Sequence, residues 1–264
     1  MSEVQVRQAD VEKGLCDIDV RSGDMLLVHS SLSSFGRVQD GAPAVIAALM
    51  AVLGPEGTLA MPSFPAFPRG EYGLVVDNGV VFDVRSSSSQ MGKITDVFWR
   101  MPGVRRSINP THSVAAWGRR HDWLISGHER CARSCGAGSP FHKLCQAGGK
   151  ILLVGCDHRS NTTLHCVEDT HGAPTTTHEV FTPKAIDYAG REVTVPMHSH
   201  RPGLRRHYDR ADALCREAGI QRELTVGRSA WRLVGAGDLY QLAGSRVRRN
   251  QRFFLDDNEG DGAS

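Results

Sequence analysis

The residues best placed by type and spacing to do chemistry are His165 and Glu168. They lie in the stretch ILLVGCDHRSNTTLHCVEDTHG, residues 151–172, which reads as a buried strand, a polar turn and the opening of a helix. Positions three apart on a helix share a face, and in α/β folds ligands bind beyond the carboxyl ends of the strands. Imidazole changes charge near neutral pH, so His165 is a candidate general base. The competing reading of the same residues is structural: a capped helix carrying a hydrogen-bonded histidine.

Other chemistries fit these residues less well. His165, Glu168 and His171 form H-x-x-E-x-x-H, but six positions is about 600° of helix. The two histidines then diverge by about 120°, and no metal is expected between them. Cys156 and Cys166 lack the surroundings of a nucleophile, and lone cysteines are usually small buried hydrophobes. Residues 30–36 contain neither G-x-G-x-x-G nor a Walker lysine. They are small and rich in backbone donors, which suits an extended ligand as well as a tight turn.

These groups need a sheet to hold them. Residues 151–154 follow Gly148-Gly149 as a short apolar run, the pattern of a strand covered on both faces. Asn161 or Thr162 suits the N-cap of the helix that follows. Upstream, 25–29 reads as a first buried strand, 40–53 as a helix capped by Asp40 and ended by Gly54-Pro55, and 58–61 as a second strand. That order is a βαβ unit and predicts a parallel pair. A leading helix falls within 1–22, with Val11, Leu15 and Ile18 inward. Residues 63–90 read as a long irregular loop, of the kind that is usually functional or mobile. Further helices are expected over 91–100, capped by Ser89, over 121–126, from Ser139-Pro140, and over 204–218. Strands are expected at 113–117, 185–188 and 192–196, then a last strand and helix over 222–247. The fold class is α/β, one domain over 1–255, with a disordered Gly- and Asp-rich tail from 256 to 264.

Bulk properties exclude several functions. With 264 residues, 40% of them hydrophobic and 23% charged, the chain can bury an ordinary soluble core without disulfides or metal. A net charge of +2 leaves no electrostatic footprint for nucleic acid. No apolar run approaches the roughly 18 residues of a membrane helix, and the start MSEVQVRQAD is unlike a signal peptide. Seven cysteines without paired spacing indicate a reducing compartment. The expectation is a cytoplasmic enzyme, monomer or homodimer, with a small-molecule partner and neither nucleic acid nor membrane.

Five segments, taken together, go further: LLVHSSLSSFG at 26–36, GPEGTLAMPSF at 54–64, MGKITDVFWRMPGVRRSINPTHSVAAWG at 91–118, SPF at 139–141 and ILLVGCDHRSNTTLHCVED at 151–169. In this order and spacing the chain resembles the aminoglycoside 3-N-acetyltransferases, a family unrelated to the GNAT superfamily. The resemblance runs from about residue 14 to 170, and more weakly to about 255. It implies a three-layer α/β/α sandwich with a central, largely parallel sheet and added antiparallel strands. It also implies acetyl-CoA as cosubstrate, the 3-amino group of an aminoglycoside's deoxystreptamine ring as acceptor, and antibiotic resistance as the outcome. The family's catalytic histidine falls on His165 and its glutamate on Glu168. Its coenzyme A loops fall on 30–36 and 107–113. Cofactor-binding candidates are therefore Ser30, Ser31, Leu32, Ser33, Phe35, Gly36, Ser107, Thr111 and Ser113, with Arg105 and Arg106 read as phosphate partners. Backbone N–H groups of residues 30–34 are candidate donors to an oxyanion.

The chain departs from the family pattern in three places. Asn109-Pro110 stands where the family usually has His-Pro, and Cys166-Val167 where Leu-Ala precedes the glutamate. VPMHSH at 195–200 stands where the family often supplies an acidic partner for the histidine, and it contains no carboxylate. Either Glu168 then orients His165, or His29 at the end of the first strand shares the base role. A polycationic acceptor needs acidic groups. Asp77 and Asp83 in the long loop, and Asp157, Glu168 and Asp169 near the site, are the substrate-binding candidates. Two alternatives keep the fold: CoA-dependent acyl transfer to a non-aminoglycoside amine, or binding of aminoglycoside or CoA with weak turnover.

Overall fold

The apolar runs expected as strands form the middle of a seven-stranded sheet. Lys150–Val154, Met25–Ser30 and Thr58–Pro62 lie side by side and parallel at its centre, with Leu27 opposite both Ile151 and Ala60. Antiparallel pairs extend it on both sides. Ser229–Gly235 and Gln221–Val226 follow Lys150–Val154, and Val114–Gly118 and Arg105–Arg106 follow Thr58–Pro62. The structure, a computed structural model, describes residues 5–65, 81–201 and 203–256.

Alternation along the strands sorts the core onto two faces. Leu27, Ile151 and Leu153 pack on one face with Leu124, Phe141, Leu164, Leu214 and Leu239. Leu26, Val28, Leu152 and Val154 pack on the other with Leu15, Val45, Leu49 and Phe98. Those partners come from helices His121–Ile125, Pro140–Gln146, Thr163–His171, Arg210–Glu217 and Ala236–Arg249 on the first face, and Gln8–Asp17, Gly41–Leu53 and Lys93–Phe98 on the second. Three layers result, and cover on both faces explains why the central strands are unbroken apolar runs. Leu152 has no solvent exposure, so Leu152→Ala would cost about 2–5 kcal/mol. No helix among the described residues is long and apolar enough to cross a membrane.

Several local expectations change. The helix expected over 91–100 is Lys93–Phe98, entered from Gly92 at φ 93°, and Ser89 accepts a hydrogen bond from the Met91 N–H instead of capping it. The helix expected over 204–218 is only Arg210–Glu217, which frees the preceding residues to enter the site. The last strand is a hairpin, Gln221–Val226 with Ser229–Gly235, turned at Gly227 with φ 59°. Its outer strand lies at the sheet edge, where Arg222, Glu223 and Thr225 hide the apolar signal. Thr176–Phe181 pairs antiparallel with Met197–His200, with an irregular register between His198 and His200. Asp256, assigned to the tail by sequence, hydrogen-bonds His207; residues 257–264 lie outside the described residues, as do 66–80 of the long loop.

Candidate active site

The site begins where Lys150–Val154 ends. The chain turns at Gly155, φ 64°, where a Cβ would stand 1.8 Å from Ser34 Oγ. Only a glycine lets this turn and the loop after Met25–Ser30 come so close. Asn161 then starts the helix Thr163–His171 by accepting the Thr163 N–H at 3.0 Å. His165 and Glu168 follow on one face, as their spacing requires.

Their link is not direct. His165 Nδ1 is 3.6 Å from Glu168 Oε2, and the hydroxyl of Tyr208 bridges them. Tyr208 donates to Glu168 Oε2 at 2.6 Å, and Arg206 Nε donates to the same oxygen at 3.1 Å. A phenol has one proton to give. At 2.9 Å from His165 it therefore accepts, and the ring proton sits on Nδ1. The relay leaves Nε2 of His165 as a bare lone pair, the form a general base needs. The pKa of His165 is held well below the usual histidine value, by burial first and then by His200 and Arg206. That of Tyr208 is pushed well up by burial and by Glu168, which keeps the bridging proton in place.

Two further rings close around His165. His200 stacks on it with centroids 4.5 Å apart and planes 18° apart. His112 stands edge-on to both, at 6.0 Å from His165 and 5.0 Å from His200. The segment that lacks a carboxylate in sequence does reach the base, then, but with an imidazole.

His165 and Tyr208 form one wall of a cavity of about 330 Å³, with His29, Ser30, Ser31, Phe64, Cys156 and Asn161 also lining it. Ser30 and Ser31 also line an adjoining cavity of about 620 Å³, whose cationic lining residues are Arg37 and Lys93. Burial first, and then His158, pushes the pKa of His29 down to about 3, so it lines the cavity as a neutral ring, its Nε2 buried without a partner. Burial first of all pushes the Cys156 thiol up to about 11, so it is no ready nucleophile. Among the described residues no group of three or more His, Cys, Asp and Glu is placed to hold a metal ion.

The profile of the family described as Aminoglycoside 3-N-acetyltransferase matches residues 27–248. The chain is 32% identical over 256 residues to aminoglycoside N(3)-acetyltransferase IV of Salmonella sp, covering 96% of this chain and 92% of that one. Among solved structures it is similar to aminoglycoside acetyltransferase AAC(3)-IVa, crystallised as a histidine-to-alanine mutant with a gentamicin, at TM-score 0.83 and 29% identity over 97% of this chain and 93% of that one. AAC(3)-Xa superposes at TM-score 0.81 with 25% identity over 94% of each chain. The chain belongs to the aminoglycoside 3-N-acetyltransferase family.

In this acetyltransferase the sequence candidates divide sharply. Ser30, Ser31, Leu32, Ser33 and Gly36 line the second cavity, while Phe35 is buried against Trp231 with ring centroids 5.9 Å apart. Arg106 is not available to a phosphate. It is buried between Phe82 and Trp99, and its guanidinium donates to the carbonyls of Ser87 at 2.5 Å and Ser63 at 2.6 Å. Ser107, Thr111 and Ser113 are also buried. Ser107 accepts the Val114 N–H, Thr111 bonds Asn109 and Ser134, and Ser113 donates to the Ser107 carbonyl. These four hold the fold behind the site. Of the backbone donors expected at 30–34, Ser31 and Ser34 are taken by the carbonyls of Val154 and Ser31, whereas Ser30 Oγ is buried with no partner.

Among the described residues the acidic candidates for the acceptor are not free of partners. Glu168 belongs to the relay and Asp169 is buried beside His200. Asp157 is paired with Arg159 at 2.6 Å and Asp83 with Arg85 at 2.9 Å, so each carboxylate already has a counter-charge. Asp77 lies outside the described residues. Tyr208 and Arg206 were not legible as site residues, because nothing in HYDR or LRRH marks them and both fell inside the helix expected over 204–218.

Proposed function

We propose that this chain transfers the acetyl group of acetyl-CoA directly to the 3-amino group of an aminoglycoside's deoxystreptamine ring, with His165 as general base. The observation that carries the reading is the Arg206–Glu168–Tyr208–His165 relay, which leaves Nε2 as the unprotonated nitrogen of a ring lining the cavity. An ammonium acceptor must lose a proton before its nitrogen can attack a thioester. His165 takes that proton, and the charge it gains is met through Tyr208 by Glu168. Such a base typically contributes about 10²–10⁴-fold.

Acetyl-CoA supplies the activated acetyl group. The residues suited to hold it are the 30–36 loop, with Arg37 and Lys93 beside it for phosphate oxygens. Ser30 Oγ, buried and unpartnered, is the donor for the acetyl oxygen as charge builds on it. Family membership supports this reading, as does the relative whose histidine-to-alanine mutant was solved with a gentamicin. Resistance is the outcome expected of acetylating the antibiotic.

A second reading is acyl transfer to a less cationic amine. It is favoured by the wall of the smaller cavity, which carries no carboxylate among the described residues. Thiol release from acetyl-CoA with a panel of aminoglycosides and simple amines, beside direct binding measurements, separates the readings. Turnover of aminoglycosides supports the first, turnover of other amines alone the second, and binding without turnover rejects both. His165→Ala is expected to lower kcat by about 10²-fold or more with CoA binding retained. Near-normal turnover in that variant would remove His165 from the mechanism.

A further inference from the structure

The cavity that holds His165 has a second imidazole in its wall, and the relay does not use it. His29 is the last residue but one of Met25–Ser30, at the carboxyl end of a central strand, where open α/β sheets bind their ligands. It lies opposite Leu153 in register, on the sheet face of Leu27 and Leu153, which the helix carrying His165 covers. His29 is 7% exposed, and its Nε2 has no hydrogen-bond partner among the described residues. The main chain around it is satisfied. Its carbonyl accepts from the Cys156 thiol at 3.5 Å, and the Ser31 N–H donates to the Val154 carbonyl at 2.9 Å.

A buried nitrogen left open is costly, and in a native structure it calls for a partner. The next residue repeats the pattern: Ser30 lines the same cavity, and its Oγ is also buried and unpartnered. Two open polar side chains at one strand end suit a ligand atom that draws charge from both. In acyl transfer that atom is the carbonyl oxygen of the thioester.

We propose that His29 is a catalytic residue, whose Nε2–H donates to the acetyl oxygen beside Ser30 Oγ, so that the two side chains form the oxyanion site. The inference rests on the reading of the chain as an acetyl-CoA-dependent N-acetyltransferase with His165 as base. The two rings then divide the chemistry. His165 faces the cavity as an acceptor, because Tyr208 fixes its proton on Nδ1. It takes a first proton from the ammonium, and the freed nitrogen attacks the carbonyl carbon. The C–N bond forms, and the carbonyl π pair moves onto oxygen, where His29 and Ser30 meet it. When that pair returns, the C–S bond breaks. The thiolate leaves with its electrons and takes the proton from His165, and the amide nitrogen sheds its remaining extra proton to water. His29 keeps its own proton throughout. Burial, and then His158, holds the ring neutral, with its pKa down at about 3. A neutral ring has one N–H for the oxygen and no charge to repel the incoming ammonium.

Imidazole nitrogen NMR reads the proposal without turnover. The Nε2–H tautomer of His29 at pH 7 is the expected result, and the Nδ1–H tautomer overturns the proposal. Kinetics reads it a second way. His29→Leu should lower kcat by about 10²–10³-fold, with KM for acetyl-CoA and for the amine turned over changed by less than about threefold. His29→Gln carries an amide N–H to a similar reach and should recover about tenfold or more of that loss. A ring that only filled space, or that took a proton, would not be replaced by an amide. A folded His29→Gln as slow as His29→Leu therefore overturns the proposal, as does a kcat of His29→Leu within about threefold of the parent. Should His29→Leu fail to fold, the tautomer decides. Failure of the base reading shows separately, as near-normal turnover in His165→Ala.

Discussion

The hydroxyl of Tyr208 stands 2.9 Å from Nδ1 of His165 and so fixes which nitrogen of the ring carries the proton. The carboxylate that orients the base acts through this phenol and not by contact. Tyr208→Phe removes the acceptor for Nδ1–H but keeps the ring and its packing on Phe254. The expected outcome is a fall in kcat of about 10–100-fold with KM little changed, and a loss of about 1–2 kcal/mol of stability. Steady-state kinetics beside urea unfolding checks both. A kcat within about twofold of the parent would show that the hydroxyl does not set the tautomer.

Glu168 and Arg206 form a pair with side chains only 2% and 15% exposed. Glu168→Gln leaves the guanidinium without its counter-charge and should destabilise the fold by about 3–5 kcal/mol. Arg206→Met in the same background should recover part of that loss, since no unpaired charge remains. Denaturant midpoints of the two variants measure this, and equal midpoints would contradict the pairing.

Acid should destabilise the protein through histidines buried as neutral rings. Burial, the first cause in both, pushes His29 to about 3 and His128 to about 4, from an ordinary value of 6.5. Between those limits the unfolded chain binds protons that the folded chain does not. Stability is therefore complete above about 6.5 and falls as the pH drops, by about 2 kcal/mol per ring at pH 5. Unfolding measured at pH 7.5 and pH 5 should show the loss, and His29→Leu should reduce it by one ring's share. A stability that is flat over this range would count against neutral burial.

Lys93 and Arg37 line the cavity next to the 30–36 loop, whereas Arg106 is locked between two aromatic rings. Lys93→Ala with Arg37→Ala should weaken CoA binding by about tenfold and flatten its salt dependence. Arg106→Leu should instead lower the thermal midpoint and leave the CoA affinity of the folded protein unchanged. Calorimetric titration with CoA tests both, and a selective affinity loss at Arg106 would reverse the assignment.

The sequence by itself determined the layers and the reacting pair. Apolar runs at 25–29, 58–61 and 151–154 require strands covered on both faces, and they are the parallel centre of the sheet. A three-residue spacing on a capped helix places His165 and Glu168 on one face whatever surrounds them. Both are short-range facts, written in periodicity and cap chemistry. Tertiary structure alone decided what touches that pair. Tyr208 lies 43 residues from His165, and His200 arrives on a strand whose register is broken beside it. It also decided that Arg106 and Asp169 face inward. Burial and pairing belong to the packed chain, and an arginine or aspartate in sequence carries no mark of whether water or a carbonyl will meet it.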